Sequence, residues 1–235
     1  MEKVIVELRA ADSDDDWVAR MRGPVAAQLA DLDLPGIILN LRDAEVRKSL
    51  MTLTTLDPPA QGFVSLWTQQ HYGRQIHAAL DLLAREAESL AAYLVTESMP
   101  VPPPGSPPGE RAPGLANVAL LRRPADLDEA TWLRRWHTDH TPVAIATQST
   151  FGYVQNYVVR TLTTEAPPLS AIVEELFPIE AVYSLHAFFG AADDADLADR
   201  MSKMVASTSA FGANVDVDTV PTGRYVIRDA FPAVG

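Results

Sequence analysis

Residues 100–113 read "PVPPPGSPPGERAP". Proline can neither donate to a β-ladder nor continue a helix, so a stretch this rich in it reads as a semi-rigid extended linker. Such a segment is expected to be surface-exposed and more mobile than its flanks. It splits the chain into residues 1–99 and 114–235, and the same order of elements is legible on both sides. Upstream lie a β-like run "KVIVELRA" (3–10), an acidic helix start at Asp14 to Asp16 and a helix through about Leu32. Strands "GIILNLRD" (36–43) and "GFVSLWTQ" (62–69), a helix through "RQIHAALDLLAREAESL" (74–90) and a strand "AAYLVTES" (91–98) follow. Downstream the order is strand "LANVALLRR" (115–123), a helix from about Leu127, and strand "GYVQNYVVRTL" (152–162). A connecting segment with a short helix near Ala171 to Leu176 leads to a strand "AVYSLHAFF" (181–189), a helix "DADLADRMSKMVAS" (194–207) and a strand "RYVIRDA" (224–230).

Each half is therefore β-α-β-β-α-β. Three short matches support a duplication: "PVA" at 24–26 and 142–144, "FVSLW" at 63–67 with "VYSLH" at 182–186, and "AYLVTES" at 92–98 with "RYVIRDA" at 224–230. A β-α-β-β-α-β unit is a ferredoxin-like arrangement, with an antiparallel sheet and both helices on one face. Its other face stays bare. Two units in one chain can cover both bare faces by packing sheet on sheet, which predicts an α+β chain closing an intramolecular barrel with helices outside.

Composition narrows the function. The chain has 235 residues, 47% of them apolar, enough to bury a sizeable core, and a formal charge of -12. That charge, without any basic run, argues against nucleic acid and against anionic membrane surfaces. No apolar run approaches the roughly 18 residues that span a bilayer. The absence of cysteine excludes disulfides, thiolate nucleophiles and thiolate-bound metals, and fits a reducing compartment. The start "MEKVIVELRA" shows no export signal, so a soluble cytoplasmic protein is expected. There is no Gly-rich phosphate cradle, HExxH or G-x-S-x-G.

The richest chemistry lies in "WLRRWHTDHTP" (132–142). On a helix Trp132, Trp136 and His140 share one face, with His137 off it. A desolvated imidazole beside indoles stays neutral near pH 7 and suits proton abstraction next to a carbonyl or phenol. A helix histidine bonded to a nearby carbonyl is the plain alternative. His186, read as part of a strand, shares a face with Ser184 and could reach the same cavity. Tyr153, Asn156 and Tyr157, on alternating faces of their strand, could donate to a developing oxyanion, as could Asn40 at the comparable place in the first half. Packing is the alternative for each. The string His137-x-Asp139-His140 invites a metal reading, but nothing supplies a third ligand. The acidic "DSDDDW" (12–17) reads as a solvated helix N-terminus, and His71 and His77 as surface groups.

The segment "LLRRPADLDEATWLRRWHTDHTPVA" (120–144) resembles the opening of EthD-domain proteins, members of the dimeric α/β-barrel superfamily, with Trp136, His140 and Pro142 in the matching places. In the first half, Gly62 and Trp67 match the family's third-strand pattern of Asp-Gly, an apolar pair, an acid and Trp-Phe. Gln61 and Ser65 replace the Asp and the acid. Glu180, Ser184 and His186 stand at these places in the second half, and Arg22 aligns with His140 in the first. The resemblance implies the barrel fold and an apolar cavity between sheet and helices, but fold alone cannot choose a reaction. The expected function is acid/base chemistry without cofactor or metal on an apolar aromatic, polyketide-like or terpenoid carbonyl compound: cyclisation, dehydration, decarboxylation, isomerisation or oxygenation. His140 and His186 are its candidate catalytic residues, and Trp132, Trp136, Tyr153, Asn156, Tyr157 and Ser184 its candidate substrate contacts. A non-catalytic barrel that binds an apolar metabolite is the alternative. The chain is expected to be a monomeric pseudo-dimer or a homodimer of it, with the site in the second half.

Overall fold

A computed structural model describes residues 1–231. Eight strands run β1 (Glu2–Arg9), β2 (Gly36–Leu41), β3 (Ala60–Thr68), β4 (Ser89–Val101), β5 (Leu115–Leu121), β6 (Gly152–Thr161), β7 (Ala171–Phe177) and β8 (Asp218–Arg228). They close an antiparallel barrel in the order β1-β3-β2-β8-β5-β7-β6-β4. Each half contributes a ferredoxin-like sheet, 4-1-3-2 and 8-5-7-6, and the seams are β2 with β8 and β4 with β6. This is the expected intramolecular dimeric α/β-barrel.

The duplication is visible in register. Gly36 pairs with Trp67, Ile38 with Ser65 and Asn40 with Phe63. In the second half Gly152 pairs with Leu176, Val154 with Glu174 and Asn156 with Ile172. Across the seams Asn40 meets Arg224 and Asn156 meets Glu97. Corresponding strands run in the same direction along the barrel, so a pseudo-twofold runs down its axis. The equivalent pairs Ser65/Glu174, Trp67/Leu176 and Glu97/Arg224 therefore sit at equal heights on opposite walls.

Strand alternation sorts side chains into two cores. Val4, Val6 and Leu8 of β1 pack outward under the first-half helices α1 (Asp15–Arg20), α2 (Ala26–Ala30) and α3 (Arg74–Leu83). Ile5 points inward and joins Phe63, Tyr93, Val95, Val118, Val158, Ile172 and Val220 in the barrel. In α3 the buried Ile76, Ala79 and Leu83 follow the helical period. The helices of the second half are α4 (Glu129–Leu133), α5 (Thr141–Thr147), α6 (Leu185–Phe189) and α7 (Asp194–Ser209). The acidic stretch 12–17 starts a helix as expected, the Asp14 carboxylate accepting from Trp17 N–H, and Asp128 and Asp193 cap α4 and α7 in the same way. Both halves carry a π-helical stretch at the same place, Met21–Val25 between α1 and α2 and Arg134–His140 between α4 and α5. Among the described residues no helix is long and apolar enough to cross a membrane.

Three sequence expectations shift. The segment 181–189 is not a strand: Ile179–Val182 is a 3-10 turn, and α6 is capped by the Ser184 hydroxyl and closed by Gly190 in the left-handed region, φ 61°. The third strand of the second half is instead β7, "AIVEELF", where a short helix was expected. Its two glutamates, one facing each side of the sheet, disguise the apolar alternation. α3 stops at Leu83, because Glu88 N–H bonds Arg9 O and Leu90 pairs with Leu8 in β4. β4 in turn takes the first residues of the proline stretch, pairing Val101 with Tyr153.

Candidate functional site

The space between sheet and helices in the second half, where a cavity was expected, is filled by side chains. Trp132 and Trp136 are fully buried with ring centroids 5.0 Å apart, and the Trp132 indole N–H donates to Phe211 O at 3.1 Å. Tyr153 is buried beside them, its hydroxyl accepting from Gln155 Nε2 at 3.2 Å. Gln155 also donates to Thr141 Oγ1 at 2.8 Å, and its Oε1 lies 2.9 Å from His137 Nδ1, which sets that nitrogen as the donor. His140 lies on the buried side with the two tryptophans, its Nδ1 2.9 Å from Ser207 Oγ and its ring 4.9 Å from that of Phe211. Burial alone pushes its imidazole down to about 4. His137 turns to Gln155, Asp139 to Arg134 and His140 to Ser207, so this triplet does not converge on a metal.

The correction to β7 removes Ser184 and His186 from any cavity. Ser184 caps α6, and His186 is half-exposed, its Nε2 2.9 Å from the solvated Asp194. Tyr157 sits at the rim, donating to Glu129 at 2.5 Å. Asn156 faces the barrel: its Nδ2 donates to Ile172 O at 2.9 Å, while its Oδ1 is shielded and unpartnered.

A partly open pocket with a mixed polar and apolar lining lies elsewhere, at one mouth of the barrel, with a volume of about 270 Å³. Two ion pairs flank it. Lys3 pairs with Glu97 and lies over the Trp67 ring, 4.5 Å from its centroid. Burial pulls the Lys3 ammonium below its usual range, against the pull of Glu97. Opposite, Glu174 Oε1 accepts from Asn40 Nδ2 at 2.8 Å and lies 3.1 Å from Arg224 Nε. That last contact is not aligned as a hydrogen bond, so the Arg224 Nε–H is left unpartnered although the residue is 92% buried. Ser65 completes the wall, and Pro102 to Ser106 with Asp229 to Phe231 cover the opening. His140 lines no part of this cavity.

Sequence reasoning missed this cluster because its members come from six strands of both halves. Glu174 is the counterpart of Ser65 in the second half, on a strand the sequence pattern does not reveal. The Lys3 ammonium lies over the Trp67 ring at this mouth.

A second buried carboxylate sits deeper in the barrel. Glu7 is fully buried, Oε1 unpartnered, Oε2 3.4 Å from the Tyr93 hydroxyl, and Arg9 Nε 3.9 Å away. Burial pushes its carboxyl up to about 7, against the pull of Arg9. Raised above the unfolded value of 4.5, it favours folding most below pH 4.5, and that contribution is lost as pH rises toward 7. Glu7→Gln is therefore expected to stabilise the fold at pH 8 by up to about 3 kcal/mol. His140 works oppositely: depressed from 6.5 to about 4, it costs stability as pH falls through that interval. Glu175, which burial also pushes up to about 7, adds to the Glu7 effect, so wild-type stability should fall as pH rises from 4.5 to 7 and Glu7→Gln should flatten that slope. Denaturant titrations between pH 4 and 8 that superpose after a constant offset would refute this.

No family model matches the chain, and no curated protein is similar to it in sequence. Solved structures do match over their full length. An anthrone oxidase-like protein superposes with a TM-score of 0.54 at 9% identity, over 100% of this chain and 97% of that one. A candidate monooxygenase from Lactobacillus acidophilus NCFM matches with a TM-score of 0.46 at 7% identity, over 97% of this chain and 96% of that one. Another, from Fusobacterium nucleatum subsp. nucleatum, gives 0.46 at 6% identity, over 97% and 92%. The first of these likenesses carries the fold: two ferredoxin-like units closing one barrel.

Proposed function

We propose that the chain is a cofactor-free small-molecule enzyme whose reactant, a planar phenol or ketone, sits in the barrel mouth, with Glu174 as the acid/base. The observation that carries this reading is the cavity into which Glu174 is presented: Oε1 is held by Asn40, which leaves the other oxygen for a ligand. A base must be within hydrogen-bond reach of the proton it takes, and a fixed carboxylate at a cavity wall meets that need. The unpartnered Arg224 N–H supplies a donor for a ligand carbonyl or phenolate, where negative charge would develop. Trp67 offers a flat wall for an aromatic ring. The fold shared with an anthrone oxidase-like protein agrees with an aromatic ketone and with oxygenation among the reactions open to a substrate carbanion.

The opposite charges around the cavity favour a ligand with a polar edge, as a carbonyl compound has. Native mass spectrometry of gently purified protein should show a small organic adduct, and planar hydroxyketones offered to the emptied protein should bind and change absorbance with time. Binding that survives Arg224→Met unchanged would sink the placement. A second reading, binding without turnover, is favoured by the pairing of Glu97 and Glu174 with cations; saturable binding with no product would decide for it.

A further inference from the structure

The proline stretch does not behave as a spacer. Its two ends are fixed: Val101 is paired to Tyr153 in β4, and beyond it Gly109 N–H donates to Val226 O and Ala112 N–H to Arg224 O, both at 2.7 Å. Arg111 clamps the second end through Asp43, Nε to Oδ2 at 2.8 Å. Between these anchors, among the described residues, residues 102–108 make a single hydrogen bond, Glu110 N–H to Pro107 O within the strap itself. Pro102 to Ser106 nonetheless roof the barrel-mouth cavity. Gly105 is exposed, and a Cβ added there would meet no atom within 4 Å. Underneath, the Ser106 hydroxyl lines the cavity, shielded from water and without a partner. A shielded hydroxyl left unpaired is costly, and an occupant of the cavity would satisfy it.

We infer that residues 102–108 form a lid: a stiff strap, fixed at both ends and unbonded between them, that lifts to admit a ligand and closes to place Ser106 on it. Proline fixes the strap's shape while removing the N–H groups that would tie it to the neighbouring strands. The other cover, Phe231 edge-on to Trp67 at 6.3 Å between centroids, is on this view a fixed rim. The lid rests on the reading that this cavity is the ligand site, yet its test uses no ligand, so the two can fail separately.

The chain has no cysteine, so one introduced thiol reports on one place. Ser65→Cys lies under the strap at a position only 8% exposed. Its labelling by dithiobis(nitrobenzoate) is expected to be slow in the parent. Replacing Pro102, Pro103 and Pro104 by Gly should speed it at least tenfold, whereas Phe231→Ala should change it less than twofold. Ala79→Cys, fully buried under α3, reports global unfolding and should stay unreactive in every background. If it reacts in the triple-glycine chain, Pro103→Gly alone replaces that variant under the same criterion. A strap variant that labels no faster than Phe231→Ala overturns the inference.

Discussion

Glu174→Gln is expected to lower turnover of a planar hydroxyketone by about two to four orders of magnitude, the usual contribution of a positioned acid/base. The amide oxygen can still accept from Asn40, so the side chain keeps its place, while the group that takes the proton is gone. The same change leaves Arg224 without its counter-charge at a position 92% buried, and breaking a buried pair can cost about 3–5 kcal/mol of stability. Loss of rate must therefore be separated from loss of fold. The split between kcat and KM does this, once thermal unfolding has shown the variant folded: a role in binding alone raises KM, whereas a chemical one lowers kcat. Glu174→Asp, which restores a carboxylate one methylene short, should recover part of kcat. A folded Gln variant with full kcat would remove Glu174 from the chemistry.

The barrel was legible because its evidence is repeated: seven of the eight strands read as alternating or apolar runs, with amphipathic helices between them and a proline stretch in the middle. The individual matches were less sound than the duplication they supported. "PVA" does fall within the first helical segment of both halves, overlapping the π-helical stretch in the first and just following it in the second. "VYSLH" lies on the turn and helix after β7, and "RYVIRDA" is offset by five residues, since register equates Arg224 with Glu97 rather than with Ala92. β7 was missed because Glu174 and Glu175 interrupt the pattern that marks a buried strand. Those glutamates are costly to bury, and burial pushes Glu175 up to about 7. The aromatic helix stretch was conspicuous for a different reason: Trp132 and Trp136 join Tyr153, Ala171 and Val173 of the sheet in one core cluster, and His140 ties the stretch to Ser207 of α7. A site assembled across a pseudo-twofold from Lys3, Ser65, Trp67, Glu97, Glu174 and Arg224 leaves no local motif to find.

Expressed apart, residues 1–101 and 114–235 are expected to be insoluble or unfolded, and to recover a single cooperative fold when refolded together. The cut follows Val101 because β4 continues to that residue. Each half alone would present a four-stranded sheet with one bare face and two open edges, the state that invites aggregation. The faces are also matched to each other and not to themselves. At equal heights Tyr93 and Phe63 of the first half sit opposite Val220 and Ile172 of the second, as the register along β1, β5 and their neighbours requires. Large residues on one wall thus meet smaller ones on the other. A homodimer of the first half would bring two Tyr93 and two Phe63 rings into the same layers and overpack them; a homodimer of the second would leave those layers underfilled. Size-exclusion chromatography with light scattering should therefore give a one-to-one complex on mixing and aggregates or unfolded chain otherwise. A half that stays monomeric and unfolds cooperatively by itself, or one that forms a stable homodimer indifferent to the other, would show that the shared barrel core does not hold the chain together.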